Sequence, residues 1–432
     1  MLKEHEGVKV DLIDRLPTPF GLVRSGVAPD HPEVKSVQND FTEIASDPRV
    51  SFRGNVEVGK NISLRDLRKH YNAVVLAYGS DEDRRLGLDK QETLKHVHSA
   101  RAFVNWYNGH PDWVDFEPNL ECEDVVIVGQ GNVAVDCARI LCKTVSELKN
   151  TDIAQHALDA LAESKVKRVH VIGRRGHVQA AFTTKELREM TKLEDASLVV
   201  DPKELELGLT KSSEEELSAR SGRAAKRQAK ILEGAISNKE MKTKQCHMRF
   251  LLSPVSLIES SDDENSIGAV RMSRNRLEGE PGNQSAVSTE EVEDVPCGML
   301  LRSIGYRSVA LDDEMPFDTK RHVVPNELGR VTGETGLYVS GWLKRGPSGI
   351  IGTNIVDARQ TVASIMEDIE ILPEVNSQVE NLDNLIEGGS VVTWQGYERI
   401  DEYEVRAGER VGKPREKMTS VPEMLEVASE SH

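Results

Sequence analysis

The chain has 432 residues, with 55 Lys plus Arg against 72 Asp plus Glu and a formal charge of −17 at neutral pH. At roughly 100–200 residues per domain this leaves room for two or three domains, and the acidic balance argues against a protein that grips nucleic acid through its phosphates. No apolar run approaches the ~18 residues of a membrane span, and five cysteines without paired metal-ligand spacing argue against zinc and against a secreted disulfide framework.

Residues 1–10 show neither an apolar signal core nor an Arg- and Ser-rich acid-free stretch, so no targeting peptide is expected in them. Val8 to Asp14 alternates β-formers with polar residues and closes on an acid, the way a dinucleotide-binding strand ends when its carboxylate grips a ribose. Such an acid normally follows a glycine loop by ~20 residues, which would place that loop and its strand ahead of Met1. In His31, between Pro29-Asp30 and Pro32, a stiff loop carries an imidazole that could meet a cofactor or merely shape a turn, and on pattern alone the turn is favoured.

Ala73 to Gly79 and Met299 to Gly305 are two short buried-strand patterns, each closed by glycine. Between them Val125 to Cys142 gives an apolar strand, a Gly129-x-Gly131-x-x-Ala134 turn and a helical run, the context in which a dinucleotide fingerprint is credible. Strand Val166 to Ile172 ends in Gly173-Arg174-Arg175-Gly176, where an NAD-specific enzyme would carry an acid. Two guanidiniums there suit the extra phosphate of NADP(H), which an acid would repel. Cys137 and Cys142 have the C-x4-C spacing of a redox disulfide, but residues five apart on one helix diverge, so two buried helix thiols are expected.

Glu186 and Glu189 lie three apart on one helix face and would ordinarily be solvated. Lys165 to Met190 carries seven Lys or Arg against two Glu, and Leu217 to Lys230 carries Arg220, Arg223, Lys226, Arg227 and Lys230 with no acid. The second set recurs at helical spacing, which is as consistent with a solvated face as with a docking stripe for an acidic partner. Residues 211–244 and 259–292 read as polar surface excursions. Leu337 to Trp342 reads as a strand, and Gly346 to Asn354 as a glycine-rich turn leading into a helix through Gln360.

Leu16 to Lys35, Val125 to Ala134, Gly173 to Gly176, Ala181 to Glu189 and Gly341 to Ile351, in that order and over nearly the whole chain, closely resemble the adrenodoxin reductase family of ferredoxin–NADP reductases. The resemblance implies an α/β fold of two Rossmann-like dinucleotide-binding domains. An NADP domain (83–307) is inserted into a discontinuous FAD domain (1–82 and 308–432), capped by the tail around Gly412 to Lys417. It implies a flavoprotein oxidoreductase passing electrons from NADPH through FAD to an acidic two-iron ferredoxin that feeds monooxygenases or iron–sulfur assembly. It also implies a monomer on the matrix side of the mitochondrial inner membrane, peripherally associated with it.

By motif position the resemblance assigns FAD to Asp14, Leu22, Val58, Trp342, Gly349, Ile350 and Ile351, and NADP to Gln130, Gly131, Asn132, Val133, Arg174, Arg175, Glu186 and Gly349. It pairs His31 with Glu189 beside the reacting rings, to tune hydride transfer or relay protons. It offers Arg188, Arg220, Arg223 and Arg227 as the ferredoxin face. The helix near Gly349 would turn its positive end toward the flavin. Two departures from the family pattern are Asp14, where Glu is usual, and His177, where proline is usual. The flavin subunit of glutamate synthase, with similar tandem domains, is set aside because its cysteine-rich cluster ligands are lacking here. The missing first loop motivates the alternative outside enzymes, an FAD-free NADP-binding or interaction isoform.

Overall fold

The computed structural model of the chain describes residues 1–238, 240–349, 351–375 and 382–430. Its centre is a parallel sheet of six strands in the spatial order Val97–Ser99, Met299–Arg302, Asp124–Val128, Arg168–Ile172, Lys244–Arg249 and Ala196–Val200. Asp124–Val128 is apolar at every position but the first because it lies in the middle of the sheet with both faces covered. Its side chains alternate accordingly. Val125 and Ile127 join a core built from helices, among them Phe103, Val135, Leu187 and Leu232, whereas Val126 and Val128 pack on the other side against Leu257, Val270 and Met272.

That second side is covered by a three-stranded antiparallel sheet of Leu252–Glu259, Ile267–Glu278 and Ser285–Pro296. Residues 259–292, read from sequence as an irregular excursion, are therefore mostly two long paired strands. The inner faces carry the alternation Val270, Met272 and Leu277, but Ser, Asp, Glu and Asn on the solvent side mask the period, and a register shift between Ser273 and Asn275 breaks it. In 211–244 the helical patches become helices Lys211–Ser218 and Arg223–Ser237, and the stretch ends where strand Lys244–Arg249 begins.

A second, outer lobe carries two separate small sheets. Val10–Ile13 pairs in parallel with Val50–Arg53. Val74–Leu76 pairs in parallel with Leu337–Val339, which continues antiparallel into Arg330–Val331 and Asn326–Glu327. Both Val10–Ile13 and Val74–Leu76 use only one of their two hydrogen-bonding edges among the described residues. Leu12 and Val75, on these two strands, are exposed at 43% and 38%. The two pieces are tied by core packing of Ile13, Val56, Leu67 and Val74, and by the Tyr71 hydroxyl donating to Asp11.

The carboxy-terminal helices Trp394–Glu409 and Val421–Ser429 close the outer lobe, with Trp394 and Tyr397 packed on Phe20 and Phe52. Between these helices the chain crosses to the inner lobe. Lys413 Nζ donates to the Ile153 carbonyl at 3.0 Å, and Lys417 Nζ reaches Asp152 at 3.2 Å. No helix among the described residues is long and apolar enough to cross a membrane.

Candidate functional site

The fingerprint turn sits where strand order reverses, at the carboxyl ends of Asp124–Val128 and Met299–Arg302, which is where open α/β sheets take ligands. Gly129 has φ +130°, and its N–H donates to the Ile172 carbonyl at 2.8 Å. A Cβ there would lie 2.7 Å from the Ser303 carbonyl carbon, so only glycine lets the two chain segments pass. A Cβ at Gly131 would meet nothing within 4 Å, which leaves open space in front of helix Asn132–Cys142. Gly131 is the residue before that helix, and no side chain caps it, so its first amides are available to an anion.

Around this turn Gln130 Nε2 donates to the Arg249 carbonyl at 2.7 Å, and Asn132 Oδ1 accepts from Thr183 N–H at 2.8 Å. Val133 is partly buried against the helical core. The Arg174 and Arg175 backbones are pinned, Arg174 by Asn275 Nδ2 on its carbonyl at 2.8 Å and Arg175 by the N–H of Leu251 on its own at 3.1 Å. The Arg175 guanidinium reaches the Gln179 carbonyl at 3.2 Å, while Arg174 is exposed. His177, the departure from the family's proline, is buried edge-on against Phe250 at 6.0 Å, and burial pushes its imidazole down to about 4.

Helix Thr184–Met190 starts under a Thr183 side-chain cap on Glu186 N–H and carries Glu186 and Glu189 on its inner face. His31, buried in its proline-flanked loop, sets Nε2 2.7 Å from Glu189 and 3.7 Å from Glu186. Outer and inner lobes meet at this pair. Glu186 is not a solvated charge: burial, then the nearby Asp136, pushes it up to about 7 against the pull of Arg139. His31, Asp136 and Glu186 hold donor atoms within 4.8 Å of one another. Arg139 already stands against the two acids, at 2.7 Å from Asp136 and 3.0 Å from Glu186.

In the outer lobe Asp14 directly follows its strand. Burial pushes its carboxyl up to about 6, although it accepts from Leu16 N–H at 2.9 Å. Trp342 stacks on Tyr306 with ring centroids 5.5 Å apart, and its indole Nε1 is buried without a partner among the described residues. Leu22 is exposed, and Val58 packs into the outer core. Gly349 has φ +87°, and helix Ile351–Glu367 begins two residues later, running beyond the expected Gln360; Ile350 lies outside the described residues. An unpartnered indole N–H, a carboxyl with one donor and a helix amino terminus fit the two ends of a bound FAD.

Arg220, Arg223, Lys226, Arg227 and Lys230 are all exposed, and helix Arg223–Ser237 packs on helix Thr184–Met190, which carries the exposed Arg188. Gln228 fastens it by donating to the Phe182 carbonyl at 2.7 Å. Cys137 and Cys142 are both buried on helix Asn132–Cys142 as unpaired thiols, and Cys142 contacts Cys246 of the neighbouring strand.

Sequence reasoning passed over Asp30, Asp136, Arg139 and Lys143, which surround the His31 pair. The signal was there in Asp136 and Arg139: two charges one turn apart in a helix otherwise nearly all apolar, which must satisfy each other or something buried beside them.

No family model matches the chain. The chain is 45% identical over 449 residues to "NADPH:adrenodoxin oxidoreductase, mitochondrial" of Arabidopsis thaliana, covering 99% of this chain and 92% of that protein. It is 43% identical over 438 residues to the human protein of the same name, covering 98% and 88%. The solved structure of Mycobacterium tuberculosis FprA in complex with NADPH superposes with a TM-score of 0.92 at 37% identity, covering 99% of this chain and 94% of that one. The chain belongs to the family of NADPH:adrenodoxin oxidoreductases.

Proposed function

We propose that this chain takes electrons from NADPH, passes them through FAD and delivers them singly to a small acidic two-iron ferredoxin, in a mitochondrion. The observation that carries this reading is the meeting of His31 and Glu189 across the two lobes, beside an open fingerprint turn and a strand end bearing two arginines. When bound, FAD accepts an electron pair with a proton from NADPH and gives the electrons up one at a time.

The chain's residues do the rest. The amides of helix Asn132–Cys142 hold the dinucleotide pyrophosphate, and Arg174 and Arg175 select its extra phosphate. Asp14 would take the adenosine ribose of FAD, and Leu22, Val58, Trp342 and Gly349 to Ile351 would contact FAD. Gly349 and Glu186 would also contact NADP. His31 donates to Glu189 and so would hold a proton at Nε2 where the two lobes meet. Arg188 with Arg220, Arg223 and Arg227 steers the acidic partner. In this reading residues 83–307 form the NADP domain, and 1–82 with 308–432 form the FAD domain. The protein is a monomer bound peripherally to the matrix face of the inner membrane, and its ferredoxin serves monooxygenases or iron–sulfur assembly.

The test is the visible spectrum of the 432-residue chain after incubation with FAD, followed by anaerobic addition of NADPH and then of a two-iron ferredoxin. The expected result is a retained flavin band that bleaches with NADPH and returns as ferredoxin is reduced. NADP binding without any retained flavin would favour the flavin-free isoform instead.

A further inference from the structure

Arg139 is 1% exposed and heads the fully buried side chains by size. It projects from the helix whose amino terminus is the fingerprint turn, and it reaches both lobes. Its Nε and Nη2 donate to the two oxygens of Asp30 at 2.7 and 2.9 Å, in the loop that presents His31. Its Nη1 donates to Glu186 at 3.0 Å and lies 3.6 Å from Glu189. Nη2 is also 2.7 Å from Asp136 one turn earlier, off the hydrogen-bond direction, while Lys143 backs Asp30 from the other side at 2.8 Å.

Burial alone would raise Asp30, but the hydrogen bonds and charge of Arg139 and then Lys143 outweigh it and hold the carboxyl well below its usual range. Asp136, more deeply buried, is raised. The groups facing this guanidinium are Asp30, Asp136, Glu186 and Glu189, with His31, Lys143 and the buried Tyr107 hydroxyl nearby, and Lys185 flanks Glu189 at 4.0 Å. Only a planar fork can serve Asp30 in bidentate fashion while its remaining N–H groups face the glutamates; an ammonium cannot.

We propose that Arg139 is a positioning residue for the reaction: it clamps the His31 loop of the outer lobe onto the Glu186–Glu189 helix of the inner lobe. The helix that binds the dinucleotide phosphates and the loop that carries the imidazole thereby move as one body. This rests on the NADPH-oxidising reading given above. A purely structural ion pair would hold the lobes together without setting the His31–Glu189 geometry, and the two roles separate by measurement.

The test compares Arg139→Lys, Arg139→Gln and Asp30→Asn in the full chain, with folding followed by circular dichroism and thermal melts. The first readout needs no flavin: the titration of the His31 imidazole by NMR in the unloaded chain, with NADP+ affinity measured alongside. The second is the pH profile of kcat and KM for NADPH after loading with FAD. The expected result is a displaced His31 titration in all three variants, NADP+ affinity within about threefold, and kcat lowered about tenfold or more with KM little changed. If Arg139→Lys fails to fold, Asp30→Asn, which removes one end of the clamp, carries the same expectation. An unmoved His31 titration together with an unaltered kcat profile in a folded variant overturns the proposal. An unsubstituted chain that does not oxidise NADPH overturns the functional reading instead, and the His31 titration still decides the clamp.

Discussion

His31 Nε2 lies 2.7 Å from a carboxylate oxygen of Glu189, although 158 residues separate the two in the chain. A hydrogen bond of this length with a charged acceptor fixes both the ring orientation and the nitrogen that carries the proton. Glu189→Gln keeps the shape and removes the charge; His31→Gln removes the titrating ring. With flavin loaded, each substitution is expected to slow NADPH oxidation in stopped flow by roughly 10²-fold, the lower end of what general acid–base groups contribute. Equal rates in both variants and the parent would take this pair out of the reaction.

The proposed reading gives Arg174 and Arg175 the extra phosphate of NADPH; the backbone of Arg174 is held by Asn275 and its side chain is exposed. Replacing Arg174 with Ala removes a charged hydrogen-bond donor, a contact of about 1.5–3 kcal/mol. The KM for NADPH should therefore rise by one to two orders of magnitude while that for NADH stays within about twofold. Steady-state kinetics with both nucleotides checks this, and a parallel rise in both constants would contradict it.

The cations on helix Arg223–Ser237 are exposed, and the proposed reading gives them the ferredoxin face. Arg223→Glu with Arg227→Glu should raise the KM for ferredoxin several-fold at low salt and flatten its dependence on ionic strength, since steering between opposite fields is screened over about 10 Å at 0.1 M salt. Reduction of a small neutral acceptor should be unchanged. An unaltered salt dependence would move the docking face elsewhere.

Lys417 shares Asp152 with Lys35, whose Nζ stands 2.7 Å from it, so two buried ammonium groups face one carboxylate. Burial pushes the Lys417 amine down to about 7. The folded chain then binds fewer protons than the unfolded chain between about pH 7 and the ordinary lysine value of 10.5. Its contribution to stability is present above the unfolded value and is lost as pH falls through about 7. Thermal melts of the parent should gain on those of Lys417→Met as pH rises above 7, by roughly 2 °C or more at pH 9. Parallel curves would rule out a depressed amine.

Much of the inner lobe could be read in advance because its signals are local. A continuous apolar run from Val125 to Val128, glycines at 129 and 131 and a helix directly after them leave little alternative, and Arg174 and Arg175 fall at the strand end that chemistry requires. The motifs also flagged His31, Glu186 and Glu189, but no periodicity could show that Glu186 is buried or that His31 reaches it, because both facts arise from the two lobes closing on each other. Arg139 stayed hidden for the same reason: its partners Asp30 and Glu186 lie 109 and 47 residues away. The paired strands within 259–292 were obscured differently, by a solvent face so polar that the alternation on the buried face fell below notice.

Among the described residues the strands Val10–Ile13 and Val74–Leu76 each pair along one edge only, and they carry the exposed Leu12 and Val75. Such edges act as templates for a strand from another molecule, and neither edge strand has the proline or lysine with which native sheets blunt them. Self-association of the concentrated protein is therefore expected to start in the outer lobe, through intermolecular strand pairing rather than through the well-covered inner lobe. Anything that engages those two edges acts as a solubilising agent as well as a structural one.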